Sequence, residues 1–311
     1  MYFEAAHPGY IRNHGDSEFS LFGRIMTKVD QFESMFRSAS REVFVYERVN
    51  IESVLVVTDL DEAEARSFGD QVRQFLTVIS DDEKVRWRNV GGSEFQTAGE
   101  LMALVESAAP DIICTYRNLH SSAWKWSYSL GTHVDLLTQH TPSPVMLLPH
   151  PKAERSAGHA FENTDMVMAI TSHLTGDNVL VNYAVRFTEE HQTLWLTHVE
   201  DEATFDRYMD VISRIPTIET DEARKDFMER LMKEPEDYID DCVDVLQAAG
   251  VRVQVRQLVT FGHHLPEYER LIEQHDIDLL VMNTKDEHQL AMHGMAYALA
   301  VELRQIPLLM L

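Results

Sequence analysis

The stretch that decides the fold occurs twice. Asp111–His120 reads DIICTYRNLH and Leu130–Pro149 reads LGTHVDLLTQHTPSPVMLLP, while Asp278–His288 reads DLLVMNTKDEH and His293–Leu311 reads HGMAYALAVELRQIPLLML. Each copy is an apolar run ending in polar residues, then a glycine opening a helical pattern, then a Pro-led apolar run. The separation of Asp111 from Asp278 nearly matches that of Pro144 from Pro307, so the chain carries an internal duplication. Units of this size read as a pair of α/β domains rather than a solenoid, and any site is expected twice.

Working outward, the second copy is the more regular. Asp165–Ser172 and Thr193–Val199 are short apolar runs flanking the helical spacing of Val179, Tyr183, Ala184 and Phe187, which makes a βαβ unit. A polar helical stretch follows over 203–250, expected as two helices interrupted near Pro216 and Pro235 and ended by Gly250. Strand 251–259, helix 265–275, strand 278–282, helix 294–305 and strand 307–311 complete a parallel sheet with helices on both faces.

The first copy follows the same plan with one strand and one helix missing: strand 54–59, helix 62–79, strand 84–90, helix 94–109, strand 112–115, helix 132–140 and strand 144–148. Before it, Phe22, Ile25, Met26, Val29, Phe32 and Phe36 have helical spacing, and Glu42–Val49 (EVFVYERV) reads as a strand. This extra helix and strand are expected to fill the space left by the deletion and cover an otherwise open sheet edge. The expected fold class is therefore α/β, with two doubly wound parallel-sheet domains, the first shortened and completed by an N-terminal helix and strand. The boundaries are an extension over 1–50, a domain over 51–150, a linker over 151–163 overlapping the linker-like run 149–162, and a domain over 164–311.

Composition excludes several classes. The 311 residues are 44% hydrophobic, enough for two cores, yet no run approaches a membrane span and the N-terminus lacks a basic region followed by an apolar core. A cytoplasmic protein without membrane insertion is expected. The net charge of -24 repels nucleic-acid phosphates and anionic lipid, so no nucleic-acid partner is expected. Cys114 in an apolar strand and Cys242 on a helix read as buried thiols.

With these residues laid out, the chain resembles the universal stress protein family in its tandem-domain form. The resemblance rests in the second copy on LTHVED, VTFGHHLPEYERLIEQHDIDLLVMNTK and the closing helix and strand, and in the first on GGSEFQTAGELMALVESAAPDIICTYRN and LLTQHTPSPVMLLP. Residues 1–50 lie outside it. It implies the adenine nucleotide alpha hydrolase-like fold, with five-stranded domains of order 3-2-1-4-5 associating through their last strands. The two copies would then pair within the chain, and dimers of chains are a further expectation.

Many members of that family bind ATP through G-x2-G-x9-G-[S/T] after strand four, with an acid ending strand one. Glycines let backbone amides approach phosphate, and the helix N-terminus favours anions. Placed on this chain, the motif retains Asp59, Gly131 and Thr132 in the first copy, but Tyr116 and Leu119 stand where the early glycines belong, and the spacing to Gly131 is too long. In the second copy the acid falls at Thr171, the early glycines at Asn283 and Asp286, and the closing pair at Gly294-Met295; Thr284 and Lys285 complete the candidate set. A carboxylate at Asp286 would repel phosphate, with Lys285 as a partial offset.

The expected function is thus a non-catalytic stress-response or regulatory protein acting by ligand or protein binding, with no resident cofactor and an unidentified protein partner. The alternatives are a sensor of ATP or AMP with an altered loop, weak ATPase included, and a small-molecule enzyme using Ser172 and His173 at the end of strand one. His263, His264, His288, His293 and His173 raise a zinc reading, but adjacent histidines are poor ligand geometry. His198 reads as structural. Trp124, Lys125, Trp126 and Tyr128 form an aromatic insertion expected to pack under the N-terminal segment, with a lid over a ligand or a partner-docking patch as the alternative, and the acidic stretch 219–244 reads as a solvated helical face.

Overall fold

A computed structural model of the chain describes residues 43–80, 84–125, 128–152, 161–171, 174–215, 219–284, 292 and 294–311. The chain divides into Met1–Val43 and Phe44–Leu311. Of the first unit only Val43 is among the described residues, so the expected N-terminal helix lies outside them.

The strands of the second unit are β1 (Ser53–Val57), β2 (Arg86–Val90), β3 (Ile112–Tyr116), β4 (Val145–Leu148), β5 (Met166–Thr171), β6 (Thr193–Asp201), β7 (Gln254–Gly262), β8 (Leu279–Met282) and β9 (Leu308–Met310). The helices are α1 (Glu62–Phe75), α2 (Thr77–Ser80), α3 (Ala98–Ala108), α4 (Thr132–His140), α5 (Asn178–Phe187), α6 (Glu202–Ile212), α7 (Thr220–Ala248), α8 (His264–Gln274) and α9 (Gly294–Glu302). Among the described residues the strands form one nine-stranded sheet of order β2-β1-β3-β4-β9-β8-β5-β6-β7. Every neighbouring pair is parallel except β4 and β9, which meet antiparallel with Met146 opposite Leu309. The two copies therefore pair through their last strands, as expected, and share one continuous sheet.

Central strands read as unbroken apolar runs because helices cover both faces. All of β3, β4, β8 and β9 is buried, each large aliphatic side chain contributing about 1.5–3 kcal/mol. The aspartates that open the repeated stretch have a shared task. Asp111 Oδ2 accepts the Ser53 backbone N–H at 2.8 Å, and Asp278 Oδ2 accepts that of Met166 at 2.9 Å. In both copies, then, an aspartate before strand four pins the start of strand one.

Two expectations are corrected. Residues 43–50 form no strand. Instead Phe44 is buried with its ring edge-on to Tyr238 of α7, and the backbone is held by side chains of α5: Asn178 Oδ1 accepts from Val45 N–H, and Asn182 accepts from Glu47 N–H while donating to the Val45 carbonyl. Side-chain amides thus take the place of a ladder partner, and this segment lies on the second copy rather than beside β2. Pro235 does not end a helix but sits buried inside α7. An interior proline costs about 3 kcal/mol, which the burial of Tyr238, Ile239, Cys242 and Leu246 beyond it exceeds. Near the end of the expected linker, Phe161 packs on Phe68 and Phe75 of α1.

Cys114 and Cys242 are buried free thiols, as expected. No helix among the described residues is long and apolar enough to cross a membrane.

Candidate functional site

In a doubly wound sheet the place for a ligand is the crevice at the carboxyl ends of the strands. In the first copy that end is occupied by the chain's own side chains. Tyr116, the last residue of β3, is fully buried, and its hydroxyl donates to Asp59 Oδ1 while accepting the Asp59 backbone N–H at 3.1 Å. The other carboxylate oxygen, Oδ2, accepts the His120 backbone N–H at 2.9 Å. Both oxygens of the retained acid are engaged. Burial first, and then the hydrogen bond to Asp59, pushes the Tyr116 phenol well above its ordinary range, so it stays a donor.

An aromatic cluster surrounds this pair. Tyr116 packs edge-on against Phe68 at 5.5 Å and His150 at 4.7 Å, and Phe95 meets His120 at 4.8 Å and His133 at 5.5 Å. Burial lowers the His150 imidazole to about 4, and its Nδ1 accepts the Lys152 backbone N–H, which requires the neutral ring. Burial also lowers His133, with the neighbouring His120 as the second cause.

Gly131 keeps the position before α4 but serves packing. Its φ of +89° is left-handed, and a Cβ there would stand 2.8 Å from Asn118 Cα. Asn118 N–H donates to the Leu130 carbonyl at 2.8 Å, which closes the loop over its own chain. Thr132 follows, exposed, as the first residue of α4. Asp59 and Gly131 thus both abut the loop 117–120, one through His120 and the other through Asn118.

The next residue ties the two copies together. Arg117 is 4% exposed, and its guanidinium donates from Nε to the Ala300 carbonyl at 2.8 Å and from Nη2 to the Leu303 carbonyl at 2.6 Å, capping the end of α9. Burial, then the charge of Arg304, lowers it to about 9.

The second crevice has a parallel arrangement with different residues. Thr171 ends β5, and the acid is supplied by Asp177, six residues further on. Asp177 Oδ1 caps α5 by accepting the Leu180 N–H at 3.0 Å, and its Oδ2 accepts from Asn283 Nδ2. Burial raises the Asp177 carboxyl, opposed by those two bonds. Thr284 is buried and turned to the sheet, its N–H and Oγ1 both donating to the Leu311 carbonyl at 2.9 and 2.6 Å. Gly294 opens α9. Lys285, Asp286, His288 and His293, like Ser172 and His173, lie outside the described residues.

Sequence reasoning missed Asp177, although an aspartate before an apolar helical run is an N-cap signal. It placed Tyr116 as an obstacle without seeing that its hydroxyl engages Asp59. His198 is buried, with Nε2 3.2 Å from Glu200 Oε2. Among the described residues no group of three or more His, Cys, Asp or Glu could hold a metal ion. Of the aromatic insertion, Tyr128 is 81% exposed rather than buried, and Trp126 lies outside the described residues. Two surface hollows include none of these crevice residues in their linings, one including Ser53, Leu55, Arg86, Arg88, Ala108 and Pro110, the other lined by Gln71, Gln74, Phe161 and Glu162.

The sequence matches no protein-family model and no curated protein sequence. Similar solved structures include a functionally unknown protein from Pseudomonas aeruginosa PAO1, 12% identical, with a TM-score of 0.46 over 84% of this chain and 92% of that one. A universal stress protein from Archaeoglobus fulgidus DSM 4304 is 12% identical, with a TM-score of 0.45 over 84% of this chain and 98% of that one. The fold described above stands on the strand order and not on these likenesses.

Proposed function

We propose that this chain is a non-catalytic regulatory protein of the universal stress protein type, cytoplasmic, built from two such domains in tandem over 51–150 and 164–311, and acting by binding rather than by turnover. The order β7-β6-β5-β8-β9 reads 3-2-1-4-5 within the second copy, and β2-β1-β3-β4 is the same order without its third strand, which supports the tandem reading.

One observation carries the functional reading. In each crevice the acid is held by the side chain that ends or follows strand four, Asp59 by Tyr116 and Asp177 by Asn283. A carboxylate so engaged has fewer acceptor sites for an adenosine ribose, and Tyr116 and Asn283 stand where backbone would otherwise approach phosphate. A nucleotide fits the first crevice poorly, since Tyr116 would have to leave a fully buried position.

Calorimetric titration of the purified chain with ATP, ADP and AMP in the presence of magnesium tests this, together with mass spectrometry of co-purified small molecules and an ATPase assay. No saturable heat at cellular nucleotide concentrations is the expected result. Saturable binding without turnover would replace this reading by a nucleotide sensor with an altered loop, and turnover would replace it by an enzyme.

A further inference from the structure

The sheet begins at β2, and this edge has a composition unlike the rest of an acidic chain. In the parallel ladder Arg86 N–H donates to the Glu52 carbonyl at 2.8 Å and Thr58 N–H to the Val90 carbonyl at 3.0 Å, so the backbone of Arg86, Arg88 and Val90 turns to β1. The alternation turns the N–H and C=O of Trp87 and Asn89 outward. Among the described residues no strand pairs with them.

The side chains alternate too. Trp87 is half-buried toward α1, with the Arg73 guanidinium 5.2 Å from its ring, and the Asn89 amide lies against Gly69 of the same helix. Arg86 and Arg88 occupy the opposite face, exposed, at the hollow bordered by Ser53, Leu55, Ala108 and Pro110. Arg88 is 3.4 Å from Glu94, a pair with side chains 47% and 40% exposed and therefore readily exchanged. This is the side from which the sequence lacks one strand and one helix.

We propose that the outer edge of β2 accepts an added strand from an acidic, extended segment of a partner protein, with Trp87 and Asn89 supplying the backbone pairing and Arg86 and Arg88 receiving carboxylates at alternate positions. Charge selects the occupant. Two copies joined through β2 would set arginine against arginine, and joining β2 to the far edge would set them against exposed Arg256 of β7. The proposal is independent of the crevice reading, since none of its residues borders either crevice.

The test uses the full chain and a short, blocked peptide of alternating Glu and Val, with a Lys–Val peptide as control, followed by amide hydrogen exchange resolved to single residues. Added protection at the Trp87 and Asn89 amides with the Glu–Val peptide, and none with the control, is expected. The exposed double variant R86E/R88E should weaken that peptide about fivefold, the sum of two surface charge pairs, and favour the Lys–Val peptide. Absence of protection by the Glu–Val peptide overturns the proposal. So does protection of both amides in the free chain, because the edge is then already covered, and so does an affinity indifferent to R86E/R88E.

Discussion

The two crevices solve one problem with different residues. In the first, the acid stands two residues beyond β1 and is met by a buried tyrosine from the end of β3, set in a cluster of Phe68, Phe95, His120, His133 and His150. In the second, the acid has moved to the N-cap of α5 and is met by an amide just past β8, with the cap bond as its other duty. The first closure is a packing device fastened by a hydrogen bond. The second, among the described residues, is a pair of hydrogen bonds to one partly buried carboxylate. Substitutions should therefore cost more in the first crevice, and by a different mechanism.

The largest expected effect follows from this contrast. Tyr116→Ala removes a fully buried ring and should destabilise the chain by about 3–5 kcal/mol, whereas Asn283→Ala, which leaves Asp177 short of one donor, should cost about 1–3 kcal/mol. Equilibrium denaturation of both variants measures the difference, and equal costs would break the comparison. Next, Arg117→Met should cost about 2–4 kcal/mol by leaving the Ala300 and Leu303 carbonyls without their buried partner, read in the same experiment.

The glycines give a smaller and sharper contrast. Gly131→Ala combines a left-handed backbone with a contact on Asn118 at 2.8 Å and should cost about 2–3 kcal/mol. Gly250→Ala has φ of +73° but nothing within 4 Å of its added Cβ, so it should cost only the backbone term of about 1–2 kcal/mol. Thermal denaturation of the pair separates conformation from crowding.

The last effect is in pH, and screening at the half-buried ring reduces it. Burial lowers folded His150 to about 4, below its unfolded value of about 6.5, so the unfolded chain binds the proton first. The stability tied to the neutral ring is intact above the unfolded value and falls as pH drops toward 4. His133 shifts in the same direction. The raised carboxyl of Asp177 acts oppositely, since its folded form gains protons more readily, so the difference between wild type and His150→Phe is the quantity to follow. That difference should shrink as the pH falls from about 6.5 toward 4.

Much of the fold was legible because it depends on local periodicity. Apolar runs of four to six residues between helical patterns place β3, β4, β8 and β9, and the repeated Asp111 and Asp278 mark one structural task performed twice. Glu42–Val49 misled because its alternation is a strand pattern, while the partners that satisfy residues 45 and 47 are Asn178 and Asn182, more than a hundred residues away. Pro235 misled because a local cost was outweighed by burial that a single-sequence pattern does not weigh. The geometry of the crevice was legible only in part. The sequence points to Asp59, Gly131 and Asn283, and the structure sets them against His120, Asn118 and Asp177, but the pairing of Tyr116 with Asp59 spans 57 positions and depends on how β1 and β3 register, and the bond of Asp177 to Asn283 joins residues 106 positions apart.

The most direct measurement is a pair of double-mutant cycles by denaturation: Tyr116→Phe with Asp59→Asn, and Asn283→Ala with Asp177→Ser, where serine keeps the cap on α5. Bonds to a carboxylate predict coupling of about 1–3 kcal/mol in each cycle. Additive effects in either cycle would mean that the carboxylate there is not held by the chain's own side chain, and would contradict the account of a self-occupied crevice.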